Sequence, residues 1–240
     1  MTGQATFRAV GVRTRRPSSF ALKQTMAITG VVFVAFVFVH MIGNLKVYGG
    51  PGALDGYARW LREVGYPLIP HQGVLWALRL VLAVSLVLHV GAGIMLWTRG
   101  RRARGRHRRR RMRGLTPWSA HAMLPGGAVI LVFIVVHLLD LTIGRLVAPA
   151  GYQSPSATGT IHAHANLVAS FSRPWMAIFY VGTMLVIGLH ILQGWRSLLQ
   201  DWGAMGRSRA TWVTVGALIA LAIVLGNALI PILVQFGVIA

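Results

Sequence analysis

The chain has 240 residues, 55% of them apolar, and sets 24 Lys and Arg against 4 Asp and Glu. A mean hydropathy of +0.62 excludes an ordinary soluble domain, because the apolar residues fall in runs that can cross a ~30 Å hydrocarbon layer as ~20-residue helices. The complete lack of cysteine excludes covalent c-type haem attachment and any iron–sulfur cluster held by this chain alone.

Residues 1–23 form a polar basic segment carrying Arg8, Arg13, Arg15, Arg16 and Lys23. No cleavable signal is expected, since the apolar run that follows is of full spanning length and serves as its own targeting signal. Apolar runs are predicted to span about 24–46, 74–98, 121–146, 174–198 and 211–236, each bounded by charge, Pro or Gly. The expected fold class is therefore an all-α integral membrane protein of five transmembrane helices, with the spanning domain over 24–236. Four of the helices would form a bundle and the fifth would flank it.

Charge predicts the topology. The basic N-terminal segment, the arginine-rich loop 99–120 with RRARGRHRRRRMR from Arg101 to Arg113, and Arg196, Arg207 and Arg209 all fall on one side if there are five spans. The positive-inside rule places that side, and the N-terminus, in the cytoplasm. The net charge of +20 is then read as a topology anchor against anionic headgroups, with part of the block meeting a peripheral partner. No nucleic-acid partner is expected.

Four of the runs each contain one histidine: His40 in VFVAFVFVHMIGNL, His89 in LVLAVSLVLHVGAG, His137 in VILVFIVVHLLDLT and His190 in VGTMLVIGLHILQG. An ionisable side chain inside a membrane span is costly unless it is paired or ligates something, so it is a functional candidate by default. Counting from the helix ends sets the depths. His40 lies six residues before Lys46 and His137 eight before Arg145, near the outer face. His89 lies ten residues before Arg99 and His190 six before Arg196, near the cytoplasmic face. The expected pairs are His40 with His137 and His89 with His190, at levels roughly 15 Å apart at ~1.5 Å per residue. Two pairs at two depths point to bis-histidine ligation of two b-type haems. Zinc or copper fits poorly, because no run offers a second ligand one turn away and no thiolate or carboxylate accompanies the histidines.

A weak internal repeat supports this pairing. Gly30 precedes His40 by ten residues and Gly127 precedes His137 by ten, while Gly93 follows His89 by four and Gly194 follows His190 by four. Glycine near a ligand leaves room for a porphyrin, and those ten residues from the outer ligands fall near the inner level; small residues also serve plain helix packing. The remaining histidines are not expected to ligate iron. His71, His162 and His164 lie in outer loops, His107 in the arginine block and His121 at the start of the third run.

Polar residues near the two faces are candidate propionate contacts. Arg79 would serve the outer haem or snorkel to the interface, and Thr29, with Lys23 and Gln24, the inner one. Trp118, Trp195 and Trp202 offer indole donors at the cytoplasmic level, where aromatic belts need no haem. Asp140, three residues beyond His137, is a candidate for carrying protons to a quinone or the outer haem; the plainer reading is an ion pair with Arg145, poorly aligned at i+5. Asp55 and Asp201 read as loop or cap residues.

Several segments together carry a family resemblance: AITG and HMIGNL in the first run, YGGPGALDGYARWLREVGYPL after it, then LVLHV, FIVVHLL and GLHILQGWRSLLQDWG. Over about residues 22–236 the chain resembles the dihaem cytochrome b anchor of succinate dehydrogenases and fumarate reductases with a single five-helix subunit. It departs from that pattern after the fourth histidine, where an expected His-Gly step reads Gln193 and Gly194. The resemblance implies a multi-pass subunit of the bacterial cytoplasmic membrane. It would work with a flavoprotein that oxidises succinate and an iron–sulfur protein on the cytoplasmic face, passing electrons through two b haems to a quinone, menaquinone being expected. Glu63 resembles in position a carboxylate implicated in quinol oxidation. Fumarate reduction by the same architecture, a haem b anchor of a formate dehydrogenase or hydrogenase, and a haem-free structural anchor or transporter are the alternatives. A transporter would show broken helices around a midplane site, which the histidines avoid.

Overall fold

A computed structural model describes residues 16–105, 115–155, 160–204 and 206–240, with the side chains of 104 and 115–121 excepted. Arg8, Arg13, Arg15, His107 and most of the arginine block lie outside the described residues, as do the side chains of Trp118 and His121. Among the described residues the secondary structure is entirely helical. Five of the helices are long and apolar enough to cross a membrane.

Helix α1 (Ser19–Asn44) begins five residues before its apolar run because the Ser18 hydroxyl caps it, accepting the Ala21 N–H at 3.1 Å. Such a cap satisfies one of the backbone donors that a helix start leaves open. A 3-10 turn (Leu45–Gly49) leads to α2 (Gly50–Glu63), a short amphipathic helix with Pro51 in its first turn. α3 (Gly73–Arg104) is 32 residues long, about 48 Å at ~1.5 Å per residue. That exceeds the hydrocarbon layer, so its last turns carry arginines beyond it.

α4 (Leu115–His137) runs directly into a π-helical turn (Leu138–Ile143) that stops at Gly144. Gly144 has φ +71°, and a Cβ there would overlap the Tyr152 ring. Only glycine meets both demands. α5 (Ala163–Phe171) is a nine-residue helix in the following loop. α6 (Pro174–Asp201) and α7 (Arg209–Gln235) complete the chain. The run boundaries of the sequence are thus extended at most ends. Two short helices, α2 and α5, occupy what reads from the sequence as loop, because neither is long enough to show an apolar run.

The packing is unequal. α1 lies on α3, α4 on α6, α6 on α7, and α7 returns to α1, whereas few close backbone approaches join α1 to α4 or α3 to α6. Tight α6–α7 packing follows from small residues. A Cβ on Gly216 would overlap Trp195, and one on Gly188 would come within 2.6 Å of Val224. Where α7 meets α1, Gly226 lies against Met41, and the Asn44 amide donates to Asn227 at 2.9 Å. Small residues that admit close backbone approach and amides that bond across helices are the usual means of helix association in lipid. The buried core gathers around α6 and α7, with Met176 and Ile223 fully enclosed. α3 instead presents Leu80, Val84 and Val87 outward, as a lipid-facing helix would.

α2 and α5 close one end of the bundle, termed here the cap end. Asp55 of α2 accepts the His164 N–H at 2.9 Å, so it caps α5 from another element. His164 and Asn166 are buried there, and the Asn166 side chain clasps both backbone groups of Gln153 at 2.8 Å. The opposite end, the arginine end, is tied by Lys23 to Asp201 at 2.7 Å, Gln24 to Trp202 at 2.9 Å, and Arg99 to the Pro17 carbonyl at 2.6 Å.

Candidate functional site: two histidine pairs inside the bundle

The four membrane histidines lie on α1, α3, α4 and α6 and meet two by two. The rings of His40 and His137 are 5.9 Å apart between centroids, nearly perpendicular at 84°. Those of His89 and His190 are 6.4 Å apart and tilted by 53°. Each pair joins helices whose backbones do not pack on each other, α1 with α4 and α3 with α6. The histidines therefore face one another across a separation that backbone contact does not fill.

The repeat legible in the sequence has a spatial meaning. Gly30 of α1 lies beside His89, and Gly127 of α4 beside His190; an added Cβ would meet the Cε1 of each imidazole at 3.8 and 3.6 Å respectively. His40 and His137 follow ten residues later on the same helices. Ten residues correspond to about 15 Å of rise, so the two pairs occupy separate levels, the His40–His137 pair nearer the cap end. Phenylalanines extend the repeat. Phe36 stacks on His40 at 5.4 Å and Phe133 on His137 at 5.6 Å, each four residues before its histidine.

The repeat breaks one residue before the glycines. Thr29 on α1 corresponds to Gly126 on α4. The Thr29 hydroxyl, buried at 5% exposure, donates to the Thr25 carbonyl at 2.6 Å and lies 2.9 Å from His89 Nδ1. Its one proton is thereby committed, so the oxygen accepts from the imidazole and His89 carries its proton on Nδ1. With glycine at the matching position, His190 Nδ1 is buried without a partner.

At the cap-end pair the surroundings are different. His137 Nδ1 is 3.3 Å from the Tyr180 hydroxyl, which donates to Asp140 Oδ2 at 3.2 Å. Asp140 is completely buried on the π-helical turn. Ser170 donates to the same Oδ2, and the other oxygen, Oδ1, is ion-paired with Arg173 at 2.7 Å. Arg173, just ahead of α6, also donates to the Val147 carbonyl at 2.6 Å and lies over the Trp175 ring. A buried carboxylate is tolerable only when paired and hydrogen-bonded, and here each need is met. Burial raises the nearby Tyr152 phenol above its ordinary value, with Arg62 opposing and Asp140 adding to the rise.

The other sequence candidates are placed as follows. Asp140 takes Arg173 as its cation, not Arg145, whose side chain is exposed and whose N–H closes the π turn onto Leu139 at 3.0 Å. Thr29 holds a histidine. Lys23, Gln24 and Trp202 bond to one another's helices at the arginine end, and Trp195 donates to the Trp212 carbonyl at 2.8 Å. Arg79 is exposed with its guanidinium 4.8 Å over the Trp76 ring, and Glu63 is exposed at the end of α2. Arg173, Ser170 and Tyr180 were not singled out from the sequence. The available signal was Asp140 itself, since an acid within a spanning run requires a cation and donors nearby.

Among the described residues no three His, Cys, Asp or Glu side chains converge, so each pair offers two opposed nitrogens and no chelating cage. A metal bound at ~2 Å to a nitrogen on each side sets the two ring centroids roughly 6 Å apart, which the observed pairs match. Aromatic packing alone also permits that spacing. The histidine donor set, the opposed rings on helices whose backbones do not pack together, and the glycines beside His89 and His190 suit a flat prosthetic group between opposed imidazoles. No family model, curated protein or solved structure matches the chain.

Proposed function

We propose that the chain is the dihaem cytochrome b anchor of a succinate:quinone oxidoreductase, relaying electrons from an iron–sulfur partner to menaquinone in a bacterial cytoplasmic membrane. The carrying observation is the pair of histidine pairs: two opposed imidazole couples, each between helices whose backbones do not pack on one another, at levels about 15 Å apart by helix rise. The segments of the first outer loop and the His-x-x-Gly-Asn-Leu element at 40–45 supply the succinate-specific part of the reading. The arginine end would face the cytoplasm and receive the iron–sulfur and flavoprotein subunits, and the cap end would face outward.

In this reading His89 and His190 hold the inner haem b, and His40 and His137 the outer. Bound haem supplies reversible one-electron chemistry at iron. What this chain adds is ligation, burial away from water, and hydrogen bonds to the ligand imidazoles, which orient them and tune their basicity. Thr29 does so for His89, and Tyr180 for His137. Asp140, fixed by Arg173, Ser170 and Tyr180, is a stationary counter-ion. Glu63, exposed at the cap end, remains the candidate for proton traffic with a quinone, and Arg79 the candidate for an outer propionate. Succinate oxidation belongs to the partner flavoprotein, so the isolated chain has none.

The test is a redox-titrated difference spectrum with pyridine haemochrome quantification of the purified complex, in the wild type and in His137→Ala. Two b haems per chain with distinct midpoints are expected, with one lost in the variant. A complex free of haem overturns the reading and leaves a structural anchor.

A further inference from the structure

Asp140, completely buried on the π-helical turn, accepts three side-chain hydrogen bonds, one of them from the Tyr180 hydroxyl that lies 3.3 Å from His137 Nδ1. Arg173 Nη2 donates to Oδ1 at 2.7 Å, Ser170 Oγ to Oδ2, and Tyr180 to Oδ2 at 3.2 Å. Arg173 Nη2 also reaches Ser170 Oγ at 3.1 Å, so these two donors are locked to each other as well as to the acid. A carboxylate paired with a guanidinium only accepts hydrogen bonds. The Tyr180 proton is therefore directed to Asp140, and the phenol oxygen has only lone pairs left for the imidazole.

We infer that Tyr180 is a positioning residue for His137, set by the Asp140–Arg173 ion pair, and that it fixes the neutral imidazole with its proton on Nδ1 and its lone pair on Nε2. The polarity runs one way through the chain of bonds: guanidinium to carboxylate, phenol to carboxylate, imidazole N–H to phenol. Reversing any one bond would place two acceptors or two donors face to face in an apolar interior, leaving a buried polar group unsatisfied. Phe133, Phe171 and Phe179 pack around the Tyr180 ring with centroids between 4.8 and 6.1 Å. They hold the phenol in line, so the orientation does not depend on hydrogen bonds alone. In its effect on a bound group this inference rests on the haem reading above. The tautomer itself does not.

The experiment uses the full chain in detergent and has two readouts. First, nitrogen-15 NMR of the histidine side chains without haem, with the His137 signal assigned by its loss in His137→Gln, reports which nitrogen carries the proton. The Nδ1–H form is expected for the wild type, and a mixture of the two tautomers for Tyr180→Phe. A wild-type His137 protonated on Nε2, or a Tyr180→Phe signal identical to the wild type, overturns the inference. Second, in the haem-loaded complex Tyr180→Phe should shift one b-haem midpoint and its low-spin electron paramagnetic resonance signal and leave the other haem unmoved. Asp140→Asn keeps an acceptor but loses the ion pair, and should shift the same haem alone. Equal shifts of both haems would mark a general structural effect and overturn the assignment. Absence of haem would sink the proposed function, while the tautomer measurement would still decide this inference.

Discussion

The two histidine pairs are built on matching helices yet are braced by different chemistry. At the His89–His190 pair the Thr29 hydroxyl bonds to His89, and His190 has a buried nitrogen with no partner. At the His40–His137 pair Tyr180 connects His137 to an ion pair with a fully buried carboxylate, and His40 packs against the rings of Phe36 and His137. A duplicated helix register can set two sites at two depths, while single side chains off the repeat, threonine for glycine and tyrosine for arginine at 180 and 79, give each site its own electrostatics.

The largest expected break in this comparison comes from Arg173→Ala. It would leave Asp140 as an uncompensated buried charge, a loss that typically costs about 3–5 kcal/mol. Thermal unfolding in detergent should show a strongly destabilised chain, and the double variant with Asp140→Asn should recover much of the loss. Additive losses in the double variant would mean that the two side chains are not coupled.

A smaller and opposite asymmetry is expected from Thr29→Val, which keeps the shape and removes the acceptor for His89 Nδ1. An unsatisfied buried donor costs about 1–3 kcal/mol. The effect should fall on the His89–His190 pair: on the proposed dihaem reading one midpoint moves, and it is not the one that responds to Tyr180→Phe. A shift of the same haem by both variants would erase the distinction between the levels.

The smallest effect, and the one that sharpens the comparison most, is expected from Gly126→Ser. A Cβ at Gly126 would meet only Val186 Cγ1 at 3.5 Å, an ordinary contact, so the side chain has room. It would offer His190 the hydroxyl that Thr29 gives His89, and exchanging glycine within a helix adds up to roughly 1 kcal/mol of its own. A stability equal to or above the wild type, with the His190 tautomer moved to Nδ1–H by nitrogen-15 NMR, is the expected result. A marked loss of stability would show that the two halves of the bundle are less alike at this position than the repeat implies.

The sequence by itself determined the elements that depend on local periodicity. Five spans, one histidine in each of four of them, and the ten-residue offset from Gly30 to His40 and Gly127 to His137 can be counted along the chain. Helix rise turns those counts into depth, so the partners at each level follow without a structure. Tertiary structure decided what the polar side chains do. Asp140 pairs with Arg173, 33 residues away, and not with Arg145, five residues away, because the π-helical turn and Gly144 send the chain off in another direction before Arg145 can reach back. Thr29 reads from the sequence as a candidate propionate contact, but the close packing of α1 on α3 brings its hydroxyl to His89. α5 was also beyond the sequence, since a short helix capped from another element, as Asp55 caps α5, has no local signal strong enough to announce it, whereas α2 carries local signals, Pro51 in its first turn and an amphipathic face, within a segment too polar to show as a span. Periodicity is a property of neighbours along the chain, whereas the choice of hydrogen-bond partner inside an apolar bundle is made by whichever group packing brings within reach.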